Sequence, residues 1–85
     1  MDYFLEETKQ HVIDYCRDIE TRENPRFRLS GVSIDEIIEH NREHPKYSEE
    51  RTRKVIADLI RDGLLKQWGT ALFAGANWPF TVETP

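Results

Sequence analysis

Apolar side chains recur at helical spacing in three stretches of the chain, and shorter apolar stretches are bounded by glycine, proline and asparagine. The clearest helical stretch begins at Ser48, a preferred N-cap residue, because its hydroxyl can accept a backbone N–H of the first turn. It ends at Gly63, which can adopt the left-handed backbone found at the end of many helices. We therefore predict a helix over residues 49–62, followed at once by a strand through Leu64, Leu65 and Trp68. The apolar stripe of this helix consists of Thr52, Val55, Ile56, Leu59 and Ile60.

The first helix is predicted over about residues 3–20, with Asp2 as its N-cap. Asn24 and Pro25 end it, because the residue before a proline avoids helical backbone angles. Beyond them, Phe27 and Leu29 alternate with polar side chains, which predicts a short strand that could pair with the C-terminal hairpin. The inward face of the helix is predicted to contain Leu5, Thr8, Val12, Cys16 and Ile19, with Phe4 and Tyr15 at its edge.

The second helix has a clear predicted start. Ser33 and Glu36 have the spacing of a capping box, while Val32 and Ile37 occupy the two positions of a hydrophobic staple. Pro45 must break the helix before the next one begins. We expect its inward face to contain Ile34, Ile37, Ile38 and Asn41.

The C-terminal stretch is predicted to form a β-hairpin, because aromatic and β-branched residues alternate with turn residues. Gly69, Gly75 and Asn77 mark the turns. Pro79 cannot donate a hydrogen bond inside a sheet, so we expect the last strand to lie at an edge. The predicted order is helix, strand, helix, helix, strand, strand, in a single α+β domain over residues 1–85.

The segment from Ser48 to Gly63, Leu64 and Leu65 resembles the third helix and the first wing strand of winged helix-turn-helix domains. The resemblance covers nearly the whole chain and implies three helices with a C-terminal β-hairpin wing. Winged-helix domains usually bind DNA and sometimes bind protein. In the members that bind DNA, the outer face of the third helix enters the major groove. The resemblance implies a regulator of transcription that binds double-stranded DNA, with candidate contacts at Arg51, Arg53, Lys54, Ala57, Arg61 and Lys66.

The charge of the chain counts against this function. The net charge is −4, whereas affinity for nucleic acid normally comes from a surplus of lysine and arginine that faces phosphates. The predicted third helix balances its basic residues with Glu49, Glu50, Asp58 and Asp62. A solvated helix face with mixed charges is therefore the alternative to a DNA contact surface.

Residues 6–15 and the run from Lys54 to Trp68 are also similar to the small accessory protein D of dissimilatory sulfite reductase. Members of that family are likewise short, acidic polypeptides with a winged-helix fold. This chain differs from them in a longer turn around Pro45 and a longer wing. The similarity implies a second hypothesis, a winged helix that binds and modulates a larger protein. Aromatic residues are enriched at the centres of such interfaces, and we expect Phe73 and Trp78 to take this role if they are exposed.

Patterns that carry catalysis or metal binding are weak in this chain. His40 and His44 are four positions apart, the spacing of two metal ligands on one helical face, but no further ligand pattern accompanies them. His11 has no visible partner in the sequence. We therefore expect solvated histidines, no metal and no cofactor. Without a phosphate-binding loop or a nucleophile motif, the sequence favours a binding module over an enzyme.

Cysteine content and hydropathy point to the cytoplasm. Cys16 is the single cysteine, so it cannot form an internal disulfide, and we expect it to be a small buried hydrophobe. The N-terminus lacks the basic start and apolar run of a signal peptide, and no apolar stretch approaches the length of a membrane span. We expect a cytoplasmic protein without membrane contact. A homodimer is also possible, because regulators with this fold often dimerise.

Overall fold

The computed structural model describes residues 4–19, 27 and 30–79. Within these ranges it contains three helices, α1 (Leu5–Asp18), α2 (Ile34–Arg42) and α3 (Glu49–Arg61). Three strands, β1 (Val32–Ser33), β2 (Leu65–Trp68) and β3 (Ala71–Ala74), form one antiparallel sheet. The order along the chain confirms the predicted α+β class and the predicted succession of elements. No helix in the described ranges combines the length and the apolar character that crossing a membrane requires.

Two serine side chains start α2 and α3 as predicted. The Ser33 hydroxyl accepts the Glu36 backbone N–H at 3.0 Å, and the Ser48 hydroxyl accepts the Arg51 backbone N–H at 3.2 Å. Each bond satisfies one of the N–H groups that the first turn leaves without a helical partner. Phe4 occupies the N-cap position of α1 and makes no side-chain cap bond, while the predicted cap, Asp2, lies outside the described residues.

Gly63 ends α3 with a left-handed backbone, its φ angle being +82°. The next N–H, of Leu64, donates to the carbonyl of Leu59 at 3.0 Å, and Asn77 donates from its side chain to the carbonyl of Asp62 at 3.0 Å. These bonds satisfy carbonyls that the last turn of a helix leaves open. The predicted abrupt passage from α3 into β2 is thereby confirmed.

The core lies between the helices and one face of the sheet. Every helix and every strand contributes to it, and Cys16 is a buried thiol as expected. The staple residues Val32 and Ile37 are both buried, and Asn41 is buried with its side-chain amide donating to the Ile37 carbonyl at 3.0 Å. The buried cluster comprises Val12, Cys16, Phe27, Val32, Ile37, Val55, Ile56, Leu59, Leu65, Leu72 and Trp78.

The strand that pairs with the hairpin is not where the sequence pattern placed it. Phe27 has helical backbone and is fully buried, and Leu29 lies outside the described residues. The pairing strand is instead β1, with Val32 opposite Leu72. The prediction at Phe27 was wrong because a buried aromatic between polar residues is compatible with a helix as well as with a strand.

The position of the last described strand is a second correction. The strand order is β1-β3-β2, so β3 is central and not at an edge. Pro79 lies beyond the end of β3, where its missing N–H removes no bond from the sheet. Proline is disfavoured within a central strand, but Pro79 is not part of β3 and so does not restrict the position of β3 in the sheet.

Candidate nucleic-acid interface

The side of α3 that is turned away from the core presents a short run of exposed residues. Val55 and Leu59 are buried on the inner side. Because successive helical residues are about 100° apart, the residues on the far side of the helix from Val55 and Leu59 can be identified from their positions in the sequence. This set, which we call the outer face of α3, consists of Glu50, Lys54, Ala57 and Arg61, all exposed. The structure thus brings together three of the six predicted DNA contacts, Lys54, Ala57 and Arg61.

Arg51 lies to one side of the outer face and is turned towards α1. Its guanidinium donates to the Lys46 carbonyl at 2.9 Å and lies 5.2 Å from the centre of the Phe4 ring. The Lys46 ammonium lies 4.6 Å from the same ring centre, so Phe4 contacts two cations. Arg51 is half-buried by these contacts, which makes it less accessible to a ligand on the outer face.

Acidic neighbours on α3 pair with two of the predicted cations. Arg53 approaches the Glu49 carboxylate at 3.4 Å, and Arg61 approaches Asp58 at 3.3 Å and Asp62 at 3.5 Å. Within the described ranges, Lys54 is part of no ion pair. The balance of charges that the sequence suggested is therefore realised as direct surface ion pairs for Arg53 and Arg61.

A groove runs along the other side of the outer face, between α3, the start of α2 and strand β2. Its volume is about 140 Å³. Gln67 reaches it from β2, whereas Lys66, the predicted contact, belongs to the opposite face of the strand, since neighbouring strand residues point to opposite sides. Gln67, and not Lys66, is thus the β2 residue that borders the groove beside the outer face of α3. The groove is lined by Ile34, Arg53, Ile56, Ala57, Ile60 and Gln67.

The aromatic residue exposed on the hairpin is Trp68, which the sequence analysis did not select. Its exposed fraction is 81%, whereas that of Trp78 is 9% and its ring packs on Phe27. Trp68 pairs with Ala71 and Phe73 pairs with Lys66, which places both aromatic residues on the face of the sheet opposite buried Leu65 and Leu72. Trp78 therefore does not meet the condition of exposure on which its expected docking role depended. Trp68 is three positions from Leu65, an odd number, so the alternation of side chains along a strand places it on the face opposite Leu65.

The histidines are also arranged differently from the expectation. His11, which had no visible partner in the sequence, has its ring centre 4.5 Å from that of His44. Glu7 lies beside both, 3.2 Å from His44 and 3.9 Å from His11. His40 instead packs on the Tyr15 ring, with centres 4.3 Å apart. The spacing of Glu7 and His11 on one face of α1 was the available sequence signal, but the contribution of His44 required the fold.

Comparison with known proteins adds no relative: the chain matches no protein-family model, no curated protein and no solved structure. The structure itself is a small α+β fold with three described helices and a three-stranded antiparallel sheet, an arrangement compatible with a winged helix. The resemblances to winged-helix domains and to the sulfite reductase accessory protein rest on the sequence features given above.

Proposed function

We propose that this chain is a winged-helix module that binds double-stranded DNA, with α3 as the helix that enters the major groove. The observation that carries the proposal is the outer face of α3, on which exposed Lys54 and Arg61 flank exposed Ala57. A small residue between two long cations allows close approach to base edges, which Arg and Lys can contact by hydrogen bonds. The proposed role is binding and regulation, without catalysis, in a compartment that contains DNA.

The ion pairs of α3 are compatible with this role. Arg53 and Arg61 are more than half exposed, so their pairs with Glu49 and Asp58 contribute little to stability. A phosphate can therefore replace a carboxylate as the partner of either guanidinium at a small free-energy change. The carboxylates remain close by and repel phosphates, so we expect weak binding to arbitrary sequences and a strong dependence on salt.

A second group of cations supports contact with the DNA backbone. Lys46, in the turn before α3, and Arg51, in its first turn, both lie beside the Phe4 ring. Phosphate contacts of this kind position a protein on the duplex and carry no sequence information of their own. We assign backbone contact to Lys46 and Arg51, and base contact to Lys54 and Arg61.

The proposal is tested by fluorescence anisotropy with a pool of random-sequence duplexes, titrated with protein at several salt concentrations. Wild-type protein should bind at low salt and lose affinity as salt rises. Lys54→Ala should weaken binding and relax base preference, because Lys54 is assigned a base contact. Lys46→Ala should weaken binding and lower the slope of log K against log salt by about 1, the expectation for one lost phosphate contact.

Lys66→Ala is the matched control. It removes the same charge from an exposed position on the face of β2 opposite the groove, so it should leave binding much less changed than Lys54→Ala does. Absence of any binding to the pool at low salt would overturn the proposal. Equal losses for Lys54→Ala and Lys66→Ala would overturn the assignment to α3.

Exposed Trp68 favours a second function, the docking of a protein partner on the outer face of the sheet. A tryptophan that is 81% exposed leaves a large apolar surface in water, and tryptophan is among the residues most enriched in interface hot spots. Phe73 lies on the same face and extends the patch. A larger enzyme such as a sulfite reductase is one partner class for this function, and a second copy of the chain is another.

The docking function is tested with Trp68→Ala in two measurements. Sedimentation equilibrium compares the self-association of wild-type and variant protein, and titration into purified sulfite reductase compares their affinity for that enzyme. A tryptophan at the centre of an interface contributes roughly 2 kcal/mol or more, so its loss should weaken binding about thirtyfold. A monomeric wild-type protein with no affinity for the enzyme would leave both named partners without support.

A further inference from the structure

Three potential metal ligands from separate parts of the chain converge beside the start of α3. Glu7 and His11 lie one turn apart on α1, and His44 lies in the turn between α2 and α3. One ligand atom from each can be chosen so that all three lie within 4.8 Å of one another. We propose that Glu7, His11 and His44 form a binding site for a divalent transition metal ion of the zinc class.

The distances are close to those of a metal site. The Glu7 carboxylate oxygen lies 3.2 Å from His44 Nε2 and 3.9 Å from His11 Nε2. Ligand atoms around tetrahedral zinc, with bonds of about 2.0–2.1 Å, lie about 3.3 Å from each other. One pair already has this separation, and the others need shifts of about 1 Å by side chains that are partly in water. The backbone is well placed, because the His44 N–H donates to the Asn41 carbonyl and the His44 carbonyl accepts the Tyr47 N–H.

The donor set selects the class of ion. Two imidazole nitrogens and one carboxylate oxygen are suited to zinc, nickel, copper or cobalt, whereas magnesium and calcium prefer oxygen donors alone. Three protein ligands leave a fourth position for water, as in zinc sites that are open to solvent. Glu7 also supplies a negative charge that offsets part of the charge of a dication.

The surroundings allow entry and a bound water. The side chains of Glu7, His11 and His44 are 45%, 42% and 27% exposed, so an ion can reach them from solvent. A polar cavity of about 10 Å³ adjoins His11 and His44, about the space that one water molecule needs. Tyr47 also lines it, and its buried hydroxyl has no hydrogen-bond partner within the described part of the chain. A metal-bound water in this cavity could supply that partner.

One contact opposes metal binding and limits the affinity. The Lys46 backbone N–H donates to His44 Nδ1 at 3.2 Å, which favours the tautomer with its proton on Nε2. An ion at Nε2 displaces that proton, and a neutral ring then carries its proton on Nδ1, against the Lys46 N–H. The turn at Lys46 must therefore open slightly on binding. The turn can open in this way because Lys46 is exposed. Since His44 lies in this turn, a bound ion would then hold in place the segment that leads into α3.

The experiment is isothermal titration of untagged protein with zinc chloride at neutral pH, followed by thermal melts with and without zinc. Wild-type protein should bind one ion per chain. At a free zinc concentration about ten times Kd, the melting temperature should rise by about 5–10 °C, as expected for a small domain. His11→Ala and His44→Ala should each weaken binding by at least about tenfold, since even the loss of outer partners weakens metal sites about 10–100-fold.

His40→Ala is the matched control, because it removes an exposed histidine one turn before His44 that packs on Tyr15 and is not part of the cluster. It should bind zinc as the wild type does. Substitution of cobalt for zinc gives a second readout, since tetrahedral nitrogen and oxygen ligation produces a visible absorption band that His44→Ala should lose. No saturable zinc binding, or equal losses in His40→Ala and His44→Ala, would overturn the proposal. Neither measurement involves DNA, so their failure is separate from failure of the proposed function.

Discussion

The rings of Phe27 and Trp78 meet edge to face, with their centres 5.0 Å apart and their planes at 61°. This geometry is favourable for aromatic pairs, because the positive edge of one ring faces the negative face of the other. Both side chains are buried, although one precedes β1 and the other follows β3. The pair therefore joins two distant segments of the chain across the core.

The first prediction concerns the two tryptophans. Trp78→Ala removes a buried ring from the core and its contact with Phe27, so the free energy of unfolding should fall by about 3–5 kcal/mol. Trp68→Ala removes a ring that is mostly in water and should change stability by no more than about 0.5 kcal/mol. Urea denaturation followed by circular dichroism measures both. A larger loss for Trp68→Ala than for Trp78→Ala would reverse the assignment of the two side chains.

The second prediction tests the packing of α3. Leu59 is fully buried in the core, and Leu59→Ala should lower the free energy of unfolding by about 2–5 kcal/mol because it leaves a cavity. Arg61→Ala, two positions further on at an exposed site, is the control and should have a small effect. Thermal melts compare the two variants. An unchanged melting temperature for Leu59→Ala would place Leu59 outside the core.

The third prediction separates two reasons for a glycine at the end of α3. Gly63 has a φ angle of +82°, and a Cβ atom there would lie 2.6 Å from the Asn77 side-chain nitrogen. Gly69 has a φ angle of +63° with no atom within 4 Å of the added carbon. Gly69→Ala should therefore show the strain of the left-handed backbone alone, about 1–2 kcal/mol. Gly63→Ala should destabilise the protein further, because Asn77 must also move away from Asp62.

Chemical denaturation of Gly63→Ala, Gly69→Ala, Asn77→Ala and the double variant Gly63→Ala/Asn77→Ala measures the difference. Truncating Asn77 removes the close contact but also its bond to the Asp62 carbonyl, so the double variant should lose less stability than the two single losses added together. Strict additivity would show that the Asn77 side chain does not restrict position 63.

The fourth prediction uses an acidic residue to test the proposed DNA surface. Glu50 lies on the outer face of α3 one turn before Lys54, and it repels phosphates that approach that face. Glu50→Gln should therefore tighten DNA binding at low salt, with a smaller effect at high salt where charges are screened. Glu39→Gln, an exposed acidic residue of α2, makes the same change in net charge away from this face. Equal tightening in the two variants would indicate that only net charge matters.

The local features of the helices could be read from the sequence because they depend on residues close together in the chain. Ser48 and Gly63 bound α3 through bonds to the first and last turns of the same helix, and the structure has the helix ending within one residue of the predicted position. Ser33 could likewise be predicted to start α2, because its hydroxyl accepts the backbone N–H of Glu36 only three residues away. Periodicity likewise identified Val55 and Leu59 as core residues, since a helix can bury only one stripe.

What the sequence determined by itself was thus the α+β class, the order of the elements, the start of α2, the limits of α3 and the outer face of α3 with Lys54, Ala57 and Arg61. The tertiary structure alone decided that β1 pairs with β3 and that Trp78 is buried while Trp68 is exposed. It also decided that His11 meets His44. These features depend on which distant segments pack together. Packing is set by the combined burial of many side chains, and no local pattern around any one of these residues specifies its partner.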